Sequence, residues 1–189
     1  QQRPVLGIPD TKFVLLNDRA KMITKAPIRV IDLSLLELHN SRTFWDIGAC
    51  TGSVSIEARR QYPHLNIQAF EVREECKDII RANARLHSAP GIDLHIGNFL
   101  NLPIAEDAIV DAVFIGGHGG KLKEIICKVA SHLDKLKGKI VFNSVSEESN
   151  KLFREAVEEN DLKLHSEMNI TVDTNNPITI LCATGKYHV

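Results

Sequence analysis

Thr43-Phe44-Trp45-Asp46-Ile47-Gly48-Ala49-Cys50-Thr51-Gly52 is an apolar, extended run that breaks into a glycine-bearing turn, with helical periodicity starting directly behind it. A strand that hands over to a helix in this way opens a βαβ unit. The alternation continues down the chain. Short, β-branched and mostly apolar runs follow at 66–71, 92–96, 111–115 and 139–144, as expected of parallel strands covered on both faces. Helices are predicted between them at 51–61, 73–88, 121–136 and 147–160, with one more at 26–38 ahead of the first strand. In the helix at 121–136, Leu122, Ile125, Ile126, Val129, Ala130 and Leu133 form one apolar stripe at helical spacing. After Asn160 the rhythm changes. Extended stretches at 163–173 and 178–184 are separated only by Thr174-Asn175-Asn176-Pro177, too short for a crossover, so these strands must run antiparallel. The expected fold is α/β: a doubly wound, mostly parallel seven-stranded sheet with a C-terminal antiparallel hairpin.

The chain's 189 residues suit one domain. With 43% hydrophobic and 25% charged residues the composition is globular, and a net charge of −1 gives no whole-molecule attraction to nucleic acid or anionic lipid. No apolar run approaches the roughly 20 residues needed to cross a bilayer, so no membrane partner is expected. Cys50, Cys76, Cys127 and Cys182 form no C-x-x-C pair. That spacing argues against a disulfide scaffold and a thiolate zinc site, and points to a reducing, cytoplasmic setting. The histidines show no H-x-x-x-H spacing, so no metal is expected. Charge is uneven locally: residues 1–29 carry +4 and the remainder −5. Residues 1–24 therefore read as a basic N-terminal arm on a single domain at 25–189, either a solvated leader or an arm that meets an anionic substrate. A start at Gln1, with the linker-like Gln1-Gln2-Arg3-Pro4, suits a piece of a longer polypeptide.

In doubly wound sheets the ligand lies beyond the carboxyl ends of the strands. Gly48 and Gly52 permit a sharp turn there and close approach of a ligand to the main chain, with free N–H groups at the helix start. Glu71, closing the second strand, is placed to accept hydrogen bonds from both hydroxyls of a ribose. A P-loop fails, because Gly120-Lys121 is followed by Leu122 and Ile115 replaces the first glycine. A dinucleotide fingerprint fails at Cys50, where backbone must approach a pyrophosphate. S-adenosyl-L-methionine, a nucleoside without phosphate, tolerates a side chain there, and Asp46 offers a carboxylate to its cationic amino group. Asn98 can bond the adenine amino group and Phe99 can lie against the ring, though packing explains Phe99 equally well. A similar turn also occurs in α/β proteins that bind no nucleoside.

The turn resembles that of class I methyltransferases. Gly7-Ile8-Pro9-Asp10, Ile23-Thr24-Lys25 and Ala112-Val113-Phe114-Ile115-Gly116-Gly117-His118-Gly119-Gly120 narrow the likeness to the decarboxylating precorrin methyltransferases of cobalamin biosynthesis, over nearly the whole chain from Gly7 to about Thr184. The resemblance implies methylation of carbon 15 of a precorrin and removal of the carboxyl group of an acetate side chain. It implies cofactor contacts from Thr24, from the turn Gly48, Ala49, Cys50, Thr51 and Gly52, from Glu71, and from Asn98 or Phe99. Substrate contacts are expected at Pro9, Asp10, Lys25, Gly116, Gly117 and Gly119. A homo-tetramer, and a fused or partner methyltransferase domain acting on carbon 5, are further implications. Cys50 and Asn98 depart from the family's usual glycine and aspartate.

A sulfonium methyl group is already electrophilic, so positioning outweighs strong base catalysis. Lys12, Arg19, Lys25 and Arg29 are candidate partners of the tetrapyrrole's carboxylates. His118 is the candidate catalytic residue, as a proton donor to the carbon left by decarboxylation; the bland alternative is a loop histidine beside glycines that approach the substrate. Cys50 reads as a small spacer and Glu57 as a solvated helix residue. The rival functions are a methyltransferase for RNA or another small molecule, and a nucleoside-binding domain without chemistry. Against RNA stand an aromatic content of 5% and a Gly116-Gly117-His118-Gly119 segment where base-nitrogen methyltransferases place Asn/Asp-Pro-Pro-aromatic.

Overall fold

A computed structural model describes residues 6–17, 19 and 21–189; Arg3, Asp18 and the linker-like start lie outside them. Seven strands make one sheet: β1 (Thr43–Ile47), β2 (Asn66–Glu71), β3 (Ile92–Ile96), β4 (Ala112–Ile115), β5 (Lys139–Ser144), β6 (Leu162–Ile170) and β7 (Ile178–Gly185). Their order is β3-β2-β1-β4-β5-β7-β6, parallel up to β5 and antiparallel for β7 and β6. The helices are α1 (Ala26–Leu36), α2 (Ser53–Gln61), α3 (Cys76–Leu86), α4 (Leu122–Ala130) and α5 (Glu147–Glu159). The expected doubly wound sheet and closing hairpin are both present. Apolar residues of β1, β4, β5 and β7 are buried on both faces, against α4 and α5 on one side and α1 and α2 on the other. Chain order reverses between β1 and β4, and this switch point is where such folds bind ligands.

The helices are shorter than the periodicity predicts, each for a local reason. Behind β1, Gly52 is left-handed, so α2 starts at Ser53 rather than at residue 51. The Arg73 amide is held by Glu71 Oε2 at 2.9 Å, which delays α3 to Cys76. The stripe of α4 runs on to Leu133, but the helix stops at Ala130. There Val110 N donates to His132 O and Asp134 N donates to Val110 O, which draws the chain into a bridge with the sheet. Leu133 stays in the core without being helical.

Arg29 and Glu57 correct the sequence reading most sharply. Arg29 is fully buried and cannot meet a substrate. Its guanidinium bonds Thr24 O, Ile8 O at 2.8 Å, Glu57 Oε2 at 2.8 Å and Asp10 Oδ1 at 2.5 Å, so all five N–H groups have partners. Glu57 is buried rather than solvated, and its other oxygen accepts from the amides of Gly7 and Ile8. Residues 7–16 are accordingly packed onto the domain, with Ile8, Phe13 and Leu16 buried. Asn83 of α3 completes the attachment, bonding both backbone groups of Val14 and the carbonyl of Thr51.

Candidate active site

A cleft of about 520 Å³ opens at the carboxyl ends of β1, β2, β4 and β5. Thr24, Lys25, Asp46, the turn from Gly48 to Thr51, Glu71, Asn98 and Phe99 all line it, as do Gly116, Gly117, His118 and Gly119. Pro9, Asp10 and Gly52 do not. Asp10 instead holds Arg29 and the amide of Ala26 at the start of α1.

The turn holds itself together. Gly48 N and Ala49 N both donate to Phe70 O, Cys50 N to Glu71 Oε1 at 3.0 Å, and Gly52 N to Ala49 O. The amides of Gly48, Ala49, Cys50 and Gly52 are thus taken up internally, which leaves few of the turn's donors for a phosphate. Gly48 is glycine for a reason other than ligand approach: at φ +74, a Cβ would lie 2.4 Å from Gly117 N. The turn and the Gly116–Gly117 segment are packed backbone to backbone, and Gly116 N bonds Ile47 O at 2.8 Å. Gly52 makes room for Ile80 of α3 in the same way, with 3.0 Å to its Cγ2.

Two buried carboxylates stand on the cleft wall. Glu71 is held between the amides of Cys50 and Arg73. Asp46 accepts from Ser55 Oγ at 2.6 Å. Burial raises its pKa to about 6; the Ser55 bonds oppose the rise and Glu71 adds to it. This pair of carboxylates fits a ribose-bearing ligand with a cationic amino group and repels a phosphate. Exposed Val72 and Val145 add apolar surface suited to flat rings. Asn98 Oδ1 is engaged by the Leu100 amide at 3.0 Å. Phe99 is buried edge-on to Trp45 and Phe70, so packing accounts for it. Lys128 fixes that loop, donating to the carbonyls of Phe99 and Leu102.

His118 Nδ1 accepts from the Gly120 amide at 3.2 Å, which leaves Nε2 as the protonated nitrogen of the neutral ring. Partial burial lowers its pKa. A neutral imidazole donates a hydrogen bond but is a weak acid. Lys21, Arg73 and Lys121 also line the cleft and were not singled out in the sequence. Lys21 and Arg73 flank the Thr24 and Glu71 positions closely enough for the motifs to have flagged them; Val72 and Val145 gave only single apolar residues past a strand end as a signal.

The model of a precorrin methyltransferase domain family matches residues 16–181. The chain belongs to the precorrin methyltransferase family. A cobalt-precorrin-6B C(15)-methyltransferase (decarboxylating) from Salmonella typhimurium is 35% identical over 127 residues, covering 67% of this chain and 64% of the relative. A precorrin-6Y C(5,15)-methyltransferase [decarboxylating] from Sinorhizobium sp is 32% identical over 126 residues, 66% of this chain but 29% of the relative. The chain thus spans less than two thirds of the length of these curated relatives. The crystal structure of a precorrin-6Y C5,15-methyltransferase from Geobacter metallireducens superposes with a TM-score of 0.83 at 33% identity, covering 97% of this chain and all of that one. In this precorrin methyltransferase domain, Thr24 to Gly119 of the cleft fall inside the matched segment, whereas Gly7 to Asp10 lie ahead of it. Among the described residues no helix is long and apolar enough to cross a membrane.

Proposed function

We propose that this chain methylates carbon 15 of a precorrin with S-adenosyl-L-methionine and removes the carboxyl group of the substrate's acetate side chain. The observation that carries the reading is the buried Asp46–Glu71 pair at the switch point, beside a turn in which the Gly48, Ala49, Cys50 and Gly52 amides are already bonded, in a chain 33% identical to a precorrin-6Y methyltransferase over almost its full length. When bound, the cofactor supplies an electrophilic methyl group. Glu71 holds its ribose hydroxyls and Asp46 its ammonium group, with Thr24, the turn and Asn98 around it. Val72 and Val145 exclude water from the flat faces of the ligands.

The conjugated tetrapyrrole provides the attacking carbon, so no residue of the cleft has to act as a strong base. Lys21, Lys25 and Lys121 line the rim and hold acetate and propionate groups by charge. Gly116 and Gly117, seated on Gly48, form the floor that sets the distance between the two ligands. His118 Nε2–H donates a hydrogen bond to a substrate carboxylate; its lowered pKa leaves less of the ring in the protonated form that the proton-donor role requires. A cytoplasmic homo-tetramer and a companion carbon-5 methyltransferase domain, supported by the greater length of the Sinorhizobium relative, belong to the same proposal.

Two measurements test it. Calorimetry with S-adenosylhomocysteine is expected to give one site per chain. Incubation with a precorrin and isotopically labelled methyl donor is expected to yield a product that has gained the labelled methyl group and lost carbon dioxide. Binding of the nucleoside without turnover of any precorrin overturns the substrate, and no binding overturns the whole reading.

A further inference from the structure

Cys50 and Cys76 are 26 positions apart, a spacing that suggests nothing, yet the fold brings them to either side of Glu71. The two sulfurs and a Glu71 carboxylate oxygen lie within 4.8 Å of one another. One thiol belongs to the half-buried turn, and the other, fully buried, opens α3. The carboxylate is anchored between them by the Cys50 and Arg73 amides. Two sulfurs and one oxygen, presented from three separate elements, are the donor set of a thiophilic dication. Bonds of about 2.3 Å to sulfur and about 2.0–2.2 Å to oxygen gather atoms at such separations with small side-chain shifts.

The electrostatics agree with this geometry. Burial, then Glu71, pushes the Cys50 thiol up, and burial, Glu71 and Cys50 push Cys76 up to about 12. The charged groups that face the thiols are Glu71, Asp46 and Arg73, and the only cation among them, Arg73, stands 3.6 Å from Glu71 Oε2. A divalent ion between two thiol sulfurs and a carboxylate compensates the negative charge they would gather there.

We propose that Cys50, Cys76 and Glu71 form a binding site for a soft divalent ion of the zinc type, and that this ion and the nucleoside exclude one another. The exclusion rests on the reading of Glu71 as the acid that holds the ribose; the metal site itself does not. On binding, each thiol gives its proton to solvent, two sulfur–metal bonds and one oxygen–metal bond form, and no electron is transferred. Cys50 Sγ leaves the Met22 carbonyl, 3.2 Å away, and Glu71 is no longer free to receive two hydroxyls. Because two protons leave, affinity for the ion rises by about a hundredfold per pH unit while both thiols are protonated.

Cobalt(II), titrated into the metal-free full chain, is the probe. One equivalent is expected to produce a thiolate-to-cobalt charge-transfer band, which zinc then removes. Cys50→Ser and Cys76→Ser each abolish the band, whereas Cys127→Ser, at an exposed thiol elsewhere, keeps it. Cys50→Ser, on the half-buried turn, decides the matter should Cys76→Ser fail to fold. Saturating S-adenosylhomocysteine suppresses the band. No band, or one that survives in Cys50→Ser, overturns the site. A band that persists although the nucleoside binds the metal-free protein overturns the exclusion. Failure of the nucleoside to bind the metal-free protein, with the band intact, sinks the cofactor reading and leaves the metal site standing.

Discussion

Nη1 of Arg29 lies 2.8 Å from Oε2 of Glu57, and neither side chain reaches solvent. The bond joins α1 to α2 beneath the N-terminal segment and carries order to the cleft. The same guanidinium holds the carbonyl of Thr24 through Nε and Nη2, at 3.1 and 2.9 Å. Glu57 meanwhile secures Gly7 and Ile8. The Gly7-Ile8-Pro9-Asp10 and Ile23-Thr24-Lys25 motifs are thus two halves of one buried network, with Thr24 and Lys25 presented on its cleft side.

Breaking a buried ion pair on one side leaves an uncompensated charge, at a cost of about 3–5 kcal/mol. Glu57→Gln and Arg29→Met are each expected to lower the unfolding free energy by about that much, read as a lower urea midpoint at unchanged slope. Nucleoside affinity is expected to fall with stability in Arg29→Met, because the Thr24 carbonyl loses its donors. A loss below about 1 kcal/mol, typical of an exposed pair, would show that the network is not what holds the segment.

Gly48→Ala puts a methyl group 2.4 Å from Gly117 N at φ +74. Left-handed strain of about 1–2 kcal/mol adds to overpacking of about 1–3 kcal/mol, and the Gly116–His118 segment must move off the turn. Methyl transfer is expected to drop at least a hundredfold. Gly119→Ala is the control: it too is left-handed, at φ +54, but a Cβ there meets nothing within 4 Å. It is expected to cost about 1–2 kcal/mol and to spare most of the nucleoside affinity. Equal loss of binding in both variants would remove the special place given to the Gly48–Gly117 contact.

The sheet was legible because strand-length apolar runs and a four-residue spacer admit few topologies, and the place of Glu71 and Asp46 on the cleft wall was legible because strand ends at a switch point border the cleft. Arg29 and Glu57 were not. On a helix a charged residue is ordinarily solvated, and only the three-dimensional return of the N-terminal segment gives them partners. Gly48 was assigned the right freedom for the wrong neighbour, since sequence shows that backbone must come close without showing whose. Helix ends were overrun wherever a side chain or a bridge captured the terminal amides, as Glu71 does at Arg73 and Val110 does near Leu133.

Asp46 gives cofactor binding a pH dependence. Burial raises its pKa to about 6, so the carboxyl group is anionic above that pH and neutral below it. If it holds the ligand's ammonium group, affinity for S-adenosylhomocysteine is constant above about pH 7 and falls by up to about tenfold per unit below pH 6. Asp46→Asn keeps an oxygen for Ser55, and is expected to bind more weakly at pH 7.5 and to lose the slope. A slope that survives the substitution assigns the dependence to another group.

His118 separates two roles by magnitude. A hydrogen-bond donor to a substrate carboxylate contributes about 1–2 kcal/mol, so His118→Ala would raise KM or lower kcat about tenfold and His118→Asn would restore part of it. An obligatory proton donor is worth a hundredfold or more, and asparagine cannot replace it. With the imidazole pKa lowered and Nδ1 held by Gly120, the first outcome is expected from steady-state kinetics of the variants.

Asp32 of α1 gives stability a pH dependence of its own. It is fully buried beside Asn143, whose Nδ2 lies 2.7 Å from Oδ2, while Asp32 Oδ1 and Asn143 Oδ1 are both buried without a partner. Burial raises the Asp32 pKa from 3.8 to about 8, against the opposing effects of Asn143 and Arg29. The native state therefore keeps a proton that the unfolded chain gives up, and this site's contribution is fully present below about pH 4. It declines as pH rises towards 8, by up to about 1.4 kcal/mol per unit, and is gone above that. Asp32→Asn removes the titration and offers an N–H in place of an orphaned oxygen. Its stability in urea should match that of the native chain near pH 4 and exceed it increasingly up to pH 8. A variant less stable than the native chain at pH 8 would mean that Asp32 is ionised and that its attraction to Arg29 outweighs the cost of burial.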